Sequence, residues 1–203
     1  MNDITINSGA AFGSDYEFLL NAQRKCFQTV MHSFSGHNFT GNYDVELFYS
    51  WSELKENLDD CKRVFKILGK SWNMNPYIKS LQLRSCKLVD SSDVILGVGI
   101  IKDEIVQGGT GNGIMYAAIK EKPIFFYDQN NDKLKKIIFK KNINGEDFKQ
   151  MMIYDGKKDD LFKIIKKSEK FSFAGIGTRK INQAGKSWIK QIVDEISFCK
   201  RGI

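Results

Sequence analysis

Apolar positions along the 203-residue chain change period several times, and each change marks an expected element. Residues 3 to 7 alternate Asp, Ile, Thr, Ile, Asn, the period-two pattern of a short strand. Beyond Ser8 the period lengthens. Phe18, Leu19, Ala22 and Cys26 share one helical face, so a helix is expected from an N-cap at Ser14 or Asp15 to about Thr29. Val30 to Phe34 reads as a second strand, and the polar stretch Ser35 to Asn42 as a loop. Leu54, Leu58, Cys61, Phe65 and Leu68 recur at helical spacing, and Pro76 opens another helix through Ile78 and Leu81 to about Leu88.

The continuous apolar run from Val94 to Ile101 is the pattern of a central parallel strand covered on both faces. After a short excursion at Lys102 to Gln107, a helix uses Ile114, Met115, Ala118 and Ile119, and Pro123 to Tyr127 is the next strand. Phe171 to Ile176 is a strand, and Ile181, Ala184, Trp188, Ile189, Ile192, Val193 and Ile196 make the cleanest amphipathic helix. Residues 129 to 168 are lysine-rich and weakly patterned, with Ile137 to Phe139 and Met151 to Ile153 as short, antiparallel strands of an insertion or edge hairpin. Strands alternating with helices imply a Rossmann-like three-layer α/β fold with a mainly parallel sheet, plus this small lysine-rich β excursion. The length suits one domain over residues 1–203.

Composition narrows the partners. No apolar stretch approaches the roughly 20 residues of a membrane span, and no basic-then-apolar leader opens the sequence, so a cytoplasmic protein is expected. Cys26, Cys61, Cys86 and Cys199 lack metal-ligand spacing and have only His32 and His37 to help them; reduced thiols and no metal site are expected. The net charge of +7 comes mainly from lysine between Lys133 and Lys170. Without interleaved aromatics or a nucleic-acid motif, a solvated basic surface is the favoured explanation over nucleic acid.

Three glycine-rich turns are the candidate chemistry: Ser8 to Asp15, Gly108 to Gly113, and Phe173 to Arg179. Each sits where bare N–H groups at a helix N-terminus hold phosphate, and a parallel sheet would bring all three to its carboxyl edge. The candidate ligand-binding residues are Ser8, Gly9, Ala10, Gly13, Ser14 and Asp15 in the first turn. The second offers Gly108, Gly109, Thr110, Gly111 and Asn112, and the last Gly175, Gly177, Thr178 and Arg179, whose planar cation suits phosphate. Asp15 and Asp128 could each cap a turn or bind ribose. His37 reads as a surface histidine, Arg84 as a solvated arginine, and Trp51, Trp72 and Trp188 as buried more often than stacked on a base. No hydrolytic triad, zinc motif or Walker lysine occurs.

These motifs resemble the SLOG superfamily, the Rossmann-like fold shared by the DNA-processing protein DprA and the LOG phosphoribohydrolases. Ala174-Gly175-Ile176-Gly177-Thr178-Arg179 is similar to the A-G-I-G-S-R motif that opens DprA-like members, and Ser8 to Asp15 to their later S-G-G-A-x-G-A-D. The order is reversed, as in a circularly permuted domain; a truncated second module or a swapped element is the alternative. Arg84 and Asp93 reproduce a LOG spacing, which adds Arg84 to the candidate ligand-binding set. The glycine loop at Gly108 resembles the LOG loop, but the family's catalytic Glu falls at Ile114, its Lys at Ser85 and its Pro at Gln107.

The resemblance thus implies binding with no catalytic residue and no resident cofactor: capture or sequestration of an ADP-ribose-like, cyclic ADP-ribose-like or cyclic nucleotide signal. It also implies a homo-oligomer, and a stand-alone phage-borne counter-defence scavenger working in the host cytoplasm. The alternatives are a hydrolase of N-glycosidic or phosphodiester bonds, with Asp15, Asp128 or Glu104 as the carboxylate, and a DprA-like nucleic-acid binder.

Overall fold

The computed structural model describes residues 4–139 and 151–201. In chain order the elements begin with β1 (Ile4–Ser8), α1 (Ser14–Arg24), β2 (Gln28–Phe34), β3 (Val45–Tyr49), α2 (Trp51–Lys55), α3 (Leu58–Ile67) and α4 (Pro76–Asp90). They continue with β4 (Val94–Gly99), β5 (Ile101–Lys102), β6 (Ile105–Val106), α5 (Gly108–Ile119), β7 (Ile124–Asp128), β8 (Lys133–Phe139), β9 (Met151–Asp155), α6 (Lys158–Lys167), β10 (Phe171–Gly177) and α7 (Gln183–Arg201). One eight-stranded sheet runs β3-β2-β1-β10-β4-β7-β8-β9, and β5 and β6 form a separate two-stranded ribbon. β3 through β7 in that order are parallel, while β8 and β9 add an antiparallel edge.

Helices cover both faces, which is why β4, β7 and β10 are almost wholly apolar. On one face Phe18, Leu161, Trp188, Ile192 and Val193 from α1, α6 and α7 bury Ile6, Leu96, Val98 and Phe173. On the other, Leu54, Phe65, Leu83 and Ile114 from α2 to α5 cover Ile95, Phe126 and Ile176. Chain order runs outward from β1 to β3 on one side and from β4 to β9 on the other, with β10 between them. The crevice beside such a reversal, at the strands' carboxyl ends, is where open α/β sheets bind ligands.

The ends of the described chain share the opposite sheet edge: Ile4 pairs with Phe171, and Lys200 Nζ donates to the Glu169 carbonyl at 2.8 Å. Among the described residues no helix is long and apolar enough to cross a membrane.

Several expectations need correction. Helix α1 stops at Arg24 because Cys26 turns the chain with φ +57°, and the next strand begins at Gln28. Its N-cap is Gly13, at φ +105°, rather than Ser14 or Asp15. The helix expected across Leu54 to Leu68 is two: a Ser50/Glu53 capping box starts α2, and a break at Glu56 and Asn57 precedes α3. Asn57 points inward and donates to Asp90 Oδ2 and the Tyr116 hydroxyl. The weakly patterned stretch holds β8, β9 and an amphipathic α6; residues 140–150 lie outside the described residues.

Candidate functional site

Two of the glycine turns lock each other. Ser14 N–H donates to the Thr178 carbonyl at 3.0 Å, and Ser14 Oγ donates to the same oxygen. Gly177 N–H donates to Asp15 Oδ1 at 3.1 Å, Thr178 N–H to the Val98 carbonyl at 3.0 Å, and Ser8 Oγ to the Gly175 carbonyl at 2.7 Å. The glycines exist for this contact: a Cβ on Gly177 would sit 2.5 Å from Ser14 Cβ, one on Gly13 2.6 Å from Arg179 Cα, and one on Gly175 2.5 Å from Phe18 Cγ. N–H groups that the sequence offered to phosphate are thus already engaged within the fold.

The third turn differs. Helix α5 begins at Gly108 with no side-chain cap, and Gln107, Gly108, Gly109 and Thr110 form the wall of a cleft of about 340 Å³. The positive end of the helix dipole therefore opens toward that space. Lys70 Nζ, 2.6 Å from Asn112 Oδ1, adds positive charge behind the same helix end.

Arg84 brings a buried cation to the cleft wall. It projects from α4, is 4% exposed, and leaves Nε and Nη1 buried with no hydrogen-bond partner. Its guanidinium lies on the backbone of Gly9, where a Cβ would come within 1.5 Å of Nη1. The single facing carboxylate oxygen, Asp15 Oδ2, is 3.8 Å away, an ion pair too long for a hydrogen bond. Burial dominates Asp15 and raises its pKa to about 6, against the opposing pull of Arg84, the Gly177 N–H and Arg179. Exposed Arg179 lines the cleft without a salt bridge among the described residues.

Behind this pair lies a buried polar network. His32 Nε2 bonds Asn7 Oδ1 at 2.9 Å and its Nδ1 the Tyr49 hydroxyl at 2.8 Å. Asn7 donates its amide to the Ser91 carbonyl and Ser92 Oγ, so Oδ1 is its acceptor and His32 must carry its proton on Nε2. His37, expected at the surface, is instead buried, stacked on Phe34 at 5.1 Å and bonded through Nδ1 to Ser33 Oγ at 3.0 Å. Burial, then Arg84, holds both imidazoles neutral, with pKa lowered to about 3 for His32 and about 4 for His37.

The comparisons come to one fold. A crystal structure from Syntrophus aciditrophicus SB, described as that of a "Putative molybdenum carrier protein", is similar in fold at a TM-score of 0.51 and 14% identity. The match covers 95% of this chain and 92% of that one, and it shows a shared Rossmann-like α/β architecture. No protein-family model matches the chain. No curated protein matches it either.

Of the candidate residues, Asp15, Arg84, Gly108, Gly109, Thr110, Gly177, Thr178 and Arg179 line the cleft together. Ser8, Gly9, Ala10, Gly13, Ser14, Gly111, Asn112 and Gly175 stand behind its wall; Asn112, for instance, bonds Gln82 Oε1 and accepts from Lys70. Sequence reasoning passed over Phe12, Ile78, Leu81, Gln82, Ser85 and Gln107, all of which line it. The LOG-like spacing that selected Arg84 also pointed at Ser85 and Gln107, the positions of that family's Lys and Pro. Ile114, where the Glu would stand, is fully buried in the core. Asp128 and Glu104 are not among the cleft-lining residues. No group of three His, Cys, Asp or Glu side chains suited to a metal occurs among the described residues.

Proposed function

We propose that residues 1–203 form a single SLOG-like domain that binds and sequesters a small anionic ligand derived from a nucleotide, of the ADP-ribose or cyclic-nucleotide kind, without cleaving it. One observation carries the reading: the buried guanidinium of Arg84, whose one facing carboxylate oxygen is 3.8 Å away, lines a cleft closed on another side by an uncapped helix N-terminus. An isolated buried cation is costly, and an anion in the cleft supplies the charge compensation that Asp15 leaves incomplete. Phosphate is the nucleotide group that fits these donors.

The carrier description of the similar crystal structure supports holding over turnover. Ile114 in place of a LOG-type glutamate supports it too. A circularly permuted arrangement is part of the proposal: counted from β10, the sheet reads 4-3-2-1-5-6 through β7, close to the usual doubly wound order.

Calorimetry against ADP-ribose, cyclic ADP-ribose isomers and cyclic dinucleotides tests the reading, with chromatography of the recovered ligand. A ligand should bind and return intact. Arg84→Gln should weaken that binding at least about thirtyfold, the scale of losing a buried charge partner. Absence of binding across the panel, or equal affinity in Arg84→Gln, would refute it. Asp15 favours a second reading: among the described residues it is the one carboxylate lining the cleft, so base or ribose phosphate released by the wild type and lost in Asp15→Asn would make the site hydrolytic.

A further inference from the structure

The cleft is several times larger than a tetrahedral oxyanion, so the anion is one end of its ligand. The lining is not all polar. Phe12, Ile78 and Leu81 are apolar, and Gln82 lines the same cleft. Phe12 is 78% exposed, the most exposed large apolar side chain in the described fold. It is not carried on a loose loop. The residues around it are fixed: Ala10 and Gly13 are buried, Tyr16 N–H donates to the Ala11 carbonyl at 3.1 Å, and Ser14 N–H is tied to Thr178. A phenyl ring is thus carried into water on an ordered turn at the cleft, so that stacking on it has the ring's own rotamers and little backbone to order.

We infer that Phe12 forms a nucleobase subsite, with the base stacked on its ring and the phosphate drawn inward to Arg84; this rests on the anion-site reading above. Gln82 supports a heteroaromatic ring over a plain hydrocarbon. Its Oε1 is occupied by Asn112, but its Nε2 donor has no hydrogen-bond partner among the described residues and can meet a ring nitrogen or carbonyl. Leu81 and Ile78 on α4 add apolar surface to the same cleft. Stacking on an aromatic tolerates any base, so Phe12 adds affinity while the amide of Gln82 sets preference.

The experiment compares AMP, ribose 5-phosphate and inorganic sulfate by calorimetry and thermal shift on the intact chain. Wild type should bind AMP more tightly than ribose 5-phosphate. Phe12→Ala should weaken AMP by at least about fivefold, leave ribose 5-phosphate and sulfate within twofold of wild type, and keep the same unfolding midpoint. Phe12→Trp should restore AMP binding. Equal AMP affinity in wild type and Phe12→Ala, while sulfate protection still vanishes in Arg84→Gln, overturns the base subsite and leaves the anion site standing. No response to sulfate, ribose 5-phosphate or AMP removes both. Dissociation of a wild-type oligomer by Phe12→Ala, with AMP binding unchanged, would give the ring to a second copy and overturn the inference.

Discussion

Arg84 occupies its place because Gly9 has no side chain, and this gives a gentler probe than removing the arginine. Gly9→Ala should displace the guanidinium and cost about 1–3 kcal/mol of stability through overpacking. Sulfate protection in a thermal-shift series should fall toward that of Arg84→Gln; unchanged protection would place the anion elsewhere. Protonation acts on the same neighbourhood with both signs. His32 and His37 bind protons more weakly folded than unfolded, so stability drops as pH falls below their ordinary 6.5. Asp15, raised to about 6, binds its proton more tightly folded and partly offsets this between about 6 and its ordinary 3.8. Two imidazoles outweigh one carboxyl, so from about pH 7.5 to 4.5 these three groups give a net loss of stability, readable in urea midpoints. A flat profile would mean that the imidazoles are not held neutral. None of this burial was legible in sequence: Arg84 is a charged residue in a mixed helical stretch and His37 lies in a polar loop, and only tertiary packing hides them.

At the scale of elements, similar glycine turns have different work. Gly111, in the first turn of α5, lies against the Val106 carbonyl, which a Cβ would approach to 2.0 Å, whereas Gly108, at φ +72°, faces open space. Gly111→Ala should therefore cost about 1–3 kcal/mol through overpacking and Gly108→Ala about 1 kcal/mol through backbone strain alone, the order checked by denaturant unfolding. Period and turn chemistry made the strand-turn-helix units readable, because β4 and α7 repeat their patterns without interruption. β3 escaped notice since Val45–Tyr49 is an edge strand mostly open to water, with Phe48 exposed, and so lacks an inward-outward rhythm. Helix α6 was hidden because Leu161 and Ile165 form its core face within a run of lysines. Phe12 was in plain view inside a motif, but nothing in a sequence says that a turn phenylalanine will face water.

For the whole molecule, periodicity cannot say which strands are neighbours, and the decisive neighbour is β10. It lies between β1 and β4 although it is the last strand in the chain. A permuted chain beginning at Glu169, with Ile203 linked to Met1 through a short glycine-serine bridge, should fold cooperatively with an unfolding free energy within about 1 kcal/mol of the parent's. Loss of cooperative unfolding would show that the ends are not interchangeable. A chain stopped at Ser168 should give no cooperative transition, because β1 and β4 would keep unpaired edges at the centre of the sheet. That late insertion also has a consequence during synthesis. At about 5–20 residues per second the ribosome takes several seconds to travel from β4 to β10. For that interval two apolar strands wait with open edges, the condition that invites misassembly and recruits chaperones. The nascent chain must be guarded until its final strand arrives, so its yield in cells should depend more on chaperone supply than its finished stability would suggest.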